Sequence, residues 1–225
     1  FGVDSAGQQL PYIDHMYERY VPQAEVRNLM ISNGEIGWKG QSLEIEDVPI
    51  LQANQEQGNY TVHLPPRVGT NHAISFNITH KDEGMRAILS DIRFREAVSL
   101  SLDREEIQDL VYLGEGTIAQ GTRFDPAAVE WVDPELLEYM IEYDPDRSIE
   151  LLDEIGMIDT DGDGYREKPD GSQFILQDIF SEQYGPVRLH ELWQAYFKDI
   201  GLKLTLKEVT SDEYRALQGA NDHDM

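Results

Sequence analysis

The stretch Asp91-Ile92-Arg93-Phe94-Arg95-Glu96-Ala97-Val98-Ser99-Leu100-Ser101-Leu102-Asp103-Arg104-Glu105-Glu106-Ile107 contains two successive helix starts. Asp91 is placed to cap a helix running through Leu102. Asp103 and Glu106 form a capping-box pattern for a second helix toward Leu113, because each side chain can satisfy an N–H that a helix start leaves open. Downstream, Asp144-Pro145 sets a cap and a first-turn proline ahead of a helix that Gly156 ends. Leu189, Leu192, Trp193, Tyr196, Phe197 and Ile200 keep the spacing of one helical face. Gly201 stops that helix, and Leu202, Leu204 and Leu206 alternate as in a strand. Helix–glycine–strand units of this kind predict an α/β architecture.

Upstream, residues 22–32 read as a helix ending at Ser32-Asn33-Gly34. Residues 58–64 and 73–79 alternate apolar and polar side chains and read as two strands, the first closed by Pro65-Pro66. No internal repeat or low-complexity segment is present.

The 225 residues carry 43 acidic and 18 basic side chains, a formal charge of -25. A field of that sign repels phosphate backbones, so nucleic acid is excluded as the expected partner. There is no cysteine, which removes disulfides, thiol nucleophiles and zinc–thiolate sites. No apolar run reaches the length of a membrane span, and Phe1-Gly2-Val3-Asp4 shows no signal-peptide pattern.

The densest chemistry lies in Asp159-Thr160-Asp161-Gly162-Asp163-Gly164. Asp159, Asp161, Asp163, the Tyr165 carbonyl, Glu167 and Asp170 occupy positions 1, 3, 5, 7, 9 and 12 of a calcium loop, with Gly164 at the turn. The loop has two readings: a structural calcium site, or a pair of solvated turns at Asp163-Gly164 and Asp170-Gly171. Pro169, Gly171 and Phe174-Ile175-Leu176 point to a turn and a strand after it, not to the exit helix of a calcium sensor. HExxH, GxSxG and GxxxxGK[ST] are all missing, and a hydrolase built on paired carboxylates stands third among the readings. Trp38, in a glycine-rich stretch, and Trp131, beside Val132-Asp133-Pro134, are loop aromatics suited to stacking on a ligand. Trp193 lies within the apolar helical face and is assigned to the core.

The 91–107 stretch resembles the hallmark of the extracytoplasmic solute-binding proteins of peptide/nickel-type ABC importers, solute-binding family 5. That hallmark is approximately D-x-R-x-R-x-A-x-x-x-A-x-D-R-x-x-I. Asp91, Arg93, Arg95, Ala97, Asp103, Arg104 and Ile107 match it, and Ser101 stands where alanine is usual. In the same order, Ser32 to Ile36, Ile74 to Asn77, Tyr143 to Gly156, Asp159 to Arg166 and Phe197 to Leu204 resemble further family segments. Gly37 replaces an aspartate in the first of these, and Asn33 is extra.

The resemblance implies an α/β, bilobed, periplasmic-binding-protein-like fold of type II, incomplete at both ends. Residues 1–75 would be part of the first lobe and 76–225 part of the second. It implies no enzymatic chemistry. The protein would close its lobes on an oligopeptide, or on an oligosaccharide or opine-like solute, and deliver it to ABC permease membrane subunits. The location would be extracytoplasmic, in the periplasm or at the cell surface, with a lipid anchor as one arrangement of the full-length protein. Candidate pocket residues are Trp38, Phe76 and Asn77, with Trp131 and Tyr184 behind them. A calcium-dependent structural or interaction protein is the alternative from a different class.

Overall fold

The computed structural model describes residues 2–41, 43–64, 72–121, 129–181 and 185–225. The chain divides into two compact units, Phe1–Pro65 and Pro66–Met225. In the first, α1 (Ala24–Ser32) is followed by a 3-10 turn (Ile45–Asp47), α2 (Val48–Ala53) and α3 (Gln55–Gly58). α1 and α3 meet through two glycines. Gly34 has φ +73°, and a Cβ there would come within 2.4 Å of the Gly58 carbonyl oxygen, so only glycine fits. The Tyr60 hydroxyl donates to the Leu51 carbonyl, and Gln55 Oε1 accepts from Val62 N. Ile31 and Leu51 are the large apolar residues buried here.

The second unit is built on α4 (Glu83–Ser90), α5 (Ile92–Leu100), α6 (Arg104–Tyr112) and α7 (Pro145–Glu154). Each begins at an aspartate whose carboxylate accepts a first-turn amide: Asp82 from Met85, Asp91 from Arg93, Asp103 from Glu106 and Asp144 from Arg147. α5 and α7 pack through small residues. Ala97 and Ser148 are fully buried, and Ser148 Oγ donates to the Ala97 carbonyl at 2.8 Å.

Two parallel strands follow, β1 (Leu176–Phe180) and β2 (Leu204–Glu208), paired from Leu176↔Leu204 to Phe180↔Glu208. They are joined by α8 (Val187–Asp199), and α9 (Ser211–Gly219) follows β2. Parallel strands need such a crossover, and the helical stripe predicted over residues 189–200 supplies it. Phe94, Phe174 and Phe197 are fully buried, each contributing roughly 1.5–3 kcal/mol by leaving water. Phe76, Phe94 and Phe174 stack edge to face, with centroids 5.2 and 5.7 Å apart. Trp193 is buried, as its place in the stripe requires.

The strands predicted at 58–64 and 73–79 do not form. Residue 58 closes α3, Asn59 is left-handed, and residues 60–64 and 73–77 join no ladder, while 78–79 form a turn. Alternation creates a two-faced segment, but a strand also needs a partner edge, and among the described residues the sheet consists of β1 and β2 alone.

Candidate functional site

The residues of the 91–107 stretch turn inward on the scaffold. Asp91 holds the Arg93 guanidinium as well as its amide, and this partner keeps the carboxyl below the usual aspartate range. Arg95 donates to the carbonyls of Leu89 and Ser90, closing the end of α4. Arg104 donates to the carbonyls of Ser99 and Ile141 and to Ser99 Oγ, tying residues 139–144 to the end of α5. Burial lowers the affinity of Arg104 for its proton. Ile107 joins the core. These residues set helix corners, and their polar groups are occupied with main chain and with neighbouring side chains.

Among the candidate pocket residues, Trp38 is 81% exposed and its ring lies over Gly40, where a Cβ would meet it at 2.7 Å. Trp131 is 72% exposed, in the turn that precedes Asp133. Phe76 packs edge-on against Phe94. Asn77 is buried, and its side chain is fully engaged. Nδ2 donates to Asn221 Oδ1 at 2.9 Å and to the His223 carbonyl at 2.8 Å, while Oδ1 accepts from Thr79 N and Oγ1. Asp224 extends the same seam, pairing with His80 Nε2 at 3.1 Å and accepting from Gln177 N at 2.7 Å. Asn77 therefore fastens segment 76–80 to residues 221–224, Asp224 carries the seam on to the start of β1, and Phe76 packs the segment on α5. Tyr184 lies outside the described residues.

In the acidic loop, carboxylate oxygens of Asp159, Asp161, Asp163 and Glu167 lie within 4.8 Å of one another. Asp159 accepts from Gly162 and Gly164, Asp161 from Asp163, and Asp163 from Tyr165, so successive turns fold the acids around one point. Glu167, 9% exposed, accepts from Thr160 N and Oγ1. Asp170 is not part of this cluster, and the predicted contribution of Tyr165 is its carbonyl, not its side chain. The Tyr165 ring lies under Lys203 Nζ, 5.2 Å from its centroid. Asp170 accepts from Ser172 Oγ and N, and the hydroxyl lowers its pKa. Arg166 secures the loop: Nε donates to the Ile200 carbonyl at 2.9 Å, and Nη1 to the Met157 carbonyl and Asp153. It thereby fastens the carboxyl ends of α7 and α8 together.

The structure also joins two residues that the sequence reading did not connect. Asp178 on β1 and His190 on α8 are 3% and 6% exposed, and His190 Nδ1 donates to Asp178 Oδ2 at 2.5 Å. The ring is stacked on Phe180 at 3.9 Å and stands edge-on to Trp193 at 4.9 Å. Its Nε2 is buried without a hydrogen-bond partner among the described residues. A signal was available in the sequence: His190 stands three residues before Trp193, on the buried side of the helix, and Asp178 interrupts an apolar run.

The family model for bacterial extracellular solute-binding proteins, family 5 Middle, matches residues 6–225. A probable ABC transporter-binding protein of Deinococcus radiodurans is 21% identical over 98% of this chain and 37% of its own. A periplasmic alpha-galactoside-binding protein of Rhizobium meliloti is 24% identical over 99% of this chain and 34% of its own. A solved oligopeptide-binding protein, OppA, is 32% identical over 100% of this chain, with a TM-score of 0.71. The chain spans just over a third of the length of these proteins, 36% in the case of OppA.

Proposed function

The chain belongs to the bacterial extracellular solute-binding proteins of family 5, and from that premise we propose that the full-length protein captures an oligopeptide by closing two lobes around it. The observation that carries the peptide reading is the likeness to the oligopeptide-binding protein OppA along the whole chain at 32% identity. The division into two compact units, Phe1–Pro65 and Pro66–Met225, supports a two-lobe protein, with a boundary ten residues before the 1–75 and 76–225 division expected from the sequence. Delivery to an ABC permease outside the cytoplasm follows from the same reading, supported by the name of the Deinococcus relative. The family is one of binding proteins, so the paired-carboxylate hydrolase reading is set aside. Trp38 and Trp131 offer exposed rings to a solute, whereas the polar atoms of Asn77 are already taken up.

The test is a thermal-shift panel on the full-length protein, with di- to pentapeptides in one arm and galactosides in the other. A ligand at a hundred times its Kd stabilises the native state by about 2.7 kcal/mol. A rise in melting temperature with peptides supports the reading. A rise with galactosides alone replaces the peptide by the oligosaccharide that the Rhizobium relative's name suggests.

A structural calcium ion in the acidic loop is a second proposal, supported by the four convergent carboxylates. Calcium takes such oxygen ligands, and the ion would offset their mutual repulsion.

A further inference from the structure

Residues 129–141 run as an arm from the turn at Trp131 through a 3-10 helix (Pro134–Glu138) to the segment that meets α5. Four carbonyls at the far end of this arm are taken by donors from elsewhere in the unit. Gln120 N donates to Leu137 at 2.8 Å, Gln120 Nε2 to Tyr139 at 2.7 Å, Ser99 Oγ to Met140 at 2.6 Å and Arg104 Nη1 to Ile141 at 3.0 Å. The donors are also joined to one another. Ser99 Oγ accepts from Gln120 Nε2 at 2.8 Å and from Arg104 Nη2 at 2.7 Å while giving its own proton, so its capacity of one donor and two acceptors is full. Both hydrogens of the Gln120 amide are engaged in the same node. The Tyr139 hydroxyl adds a bond to Glu96 on α5. Met140 has φ +52°, a left-handed conformation that a residue with a Cβ keeps only where its surroundings impose it. Burial does little of this holding, since Trp131 is 72% exposed and Leu136 59%.

An exposed indole on an arm fixed in this way suits stacking on a solute, because a ring already in place loses little freedom when it binds. We propose that Gln120 is a positioning residue for solute capture. Its side-chain amide, shared between Ser99 and the Tyr139 carbonyl, sets the place of Trp131, and Trp131 stacks on a flat apolar face of the solute. This role rests on the solute-binding reading but not on the choice between peptide and sugar, since an aromatic peptide side chain and the apolar face of a galactose ring both fit an indole. Ser99 and Arg104 grip the arm only through its carbonyls, so they fix where the ring stands and leave the choice of solute to the arm's tip.

The experiment labels the full-length protein with fluorotryptophan and follows fluorine NMR while titrating alanyl-phenylalanyl-alanine in one arm and raffinose, an alpha-galactoside, in the other. Trp131→Phe assigns the resonance. The tripeptide is expected to shift the Trp131 line along a saturating curve, while the line of Trp193, buried in the core, stays in place and reports that the fold holds. Gln120→Met keeps the main-chain bond to Leu137 but loses both amide donors. Without solute it is expected to broaden or split the Trp131 line, and with solute to raise the Kd about tenfold, the scale of one aromatic contact. A double-mutant cycle separates positioning from general loosening: in the Trp131→Ala background, Gln120→Met is expected to change the Kd by less than about twofold. A shift with raffinose alone supports the role of Gln120 and makes the stacked face a sugar's. The role is overturned by a single sharp, unmoved Trp131 line in Gln120→Met, by a solute that binds without moving that line, or by a penalty that persists in the Trp131→Ala background. Failure of solute capture itself shows separately, as a thermal-shift panel in which neither peptides nor galactosides raise the melting temperature.

Discussion

Replacing Arg166 by Met tests how the acidic loop is held to the rest of its unit. Methionine keeps most of the aliphatic stem, so packing changes little, but every guanidinium donor is lost. Two of its acceptors are the carbonyls of Ile200 and Met157, residues that are 1% and 0% exposed and so poorly placed to take water instead. A buried acceptor left without its donor costs about 1–3 kcal/mol. The third acceptor, Asp153, has a side chain 54% exposed, and a pair of that kind contributes less than about 1 kcal/mol. The sum is about 2–7 kcal/mol, and local relaxation of the loop places the expectation at about 2–4 kcal/mol. Urea unfolding of the full-length protein measures it as a fall in the midpoint of the transition that contains this unit. Arg166→Lys restores the charge but has no planar fork to span two carbonyls, so it should recover less than half of the loss. A loss below about 1 kcal/mol for Arg166→Met, or full recovery by lysine, would refute the assignment of Arg166 as the tie between the two helix ends.

Other substitutions probe separate features. Phe94→Ala opens the centre of the Phe76–Phe94–Phe174 stack and should cost about 3–5 kcal/mol, read in the same urea experiment. Gly201→Ala places a Cβ at φ +78°, 3.2 Å from the Arg166 side chain, and should destabilise by more than about 1 kcal/mol. Asp91→Ala removes a cap and should cost about 1 kcal/mol at neutral pH. Because Arg93 depresses the folded-state pKa of Asp91, that contribution is present above the unfolded value near 3.9 and is lost as pH falls through the lower folded one. The gap between parent and variant should therefore close in acid, and a constant gap would count against the pairing. If calcium occupies the acidic loop, millimolar calcium should raise the melting temperature, chelation should reverse the rise, and Asp161→Asn should weaken it.

What could be read from the sequence was what depends on near neighbours. The caps at Asp91, Asp103 and Asp144 each act on an amide two or three residues away, so the residues alone announce the helix starts. The α8 stripe and the alternation after Gly201 gave the crossover and its strand for the same reason. Asn77 shows where such reading stops. It stood within a predicted strand and was a reasonable pocket residue, but its partners Asn221 and His223 lie more than 140 positions away in sequence. The Asp178–His190 pair is hidden in the same way, since 43 acids offer every histidine a possible partner and only the packing of α8 on the strands selects one.

Arg104 has a bearing on how proteins of this kind diversify. Its guanidinium bonds main-chain carbonyls and one serine hydroxyl, contacts indifferent to what the protein carries. The stretch that makes the chain recognisable is thus insulated from the stretches that would choose its cargo. A lineage can exchange peptide for sugar without disturbing that corner, and a search keyed to it will gather carriers of unlike loads under one heading.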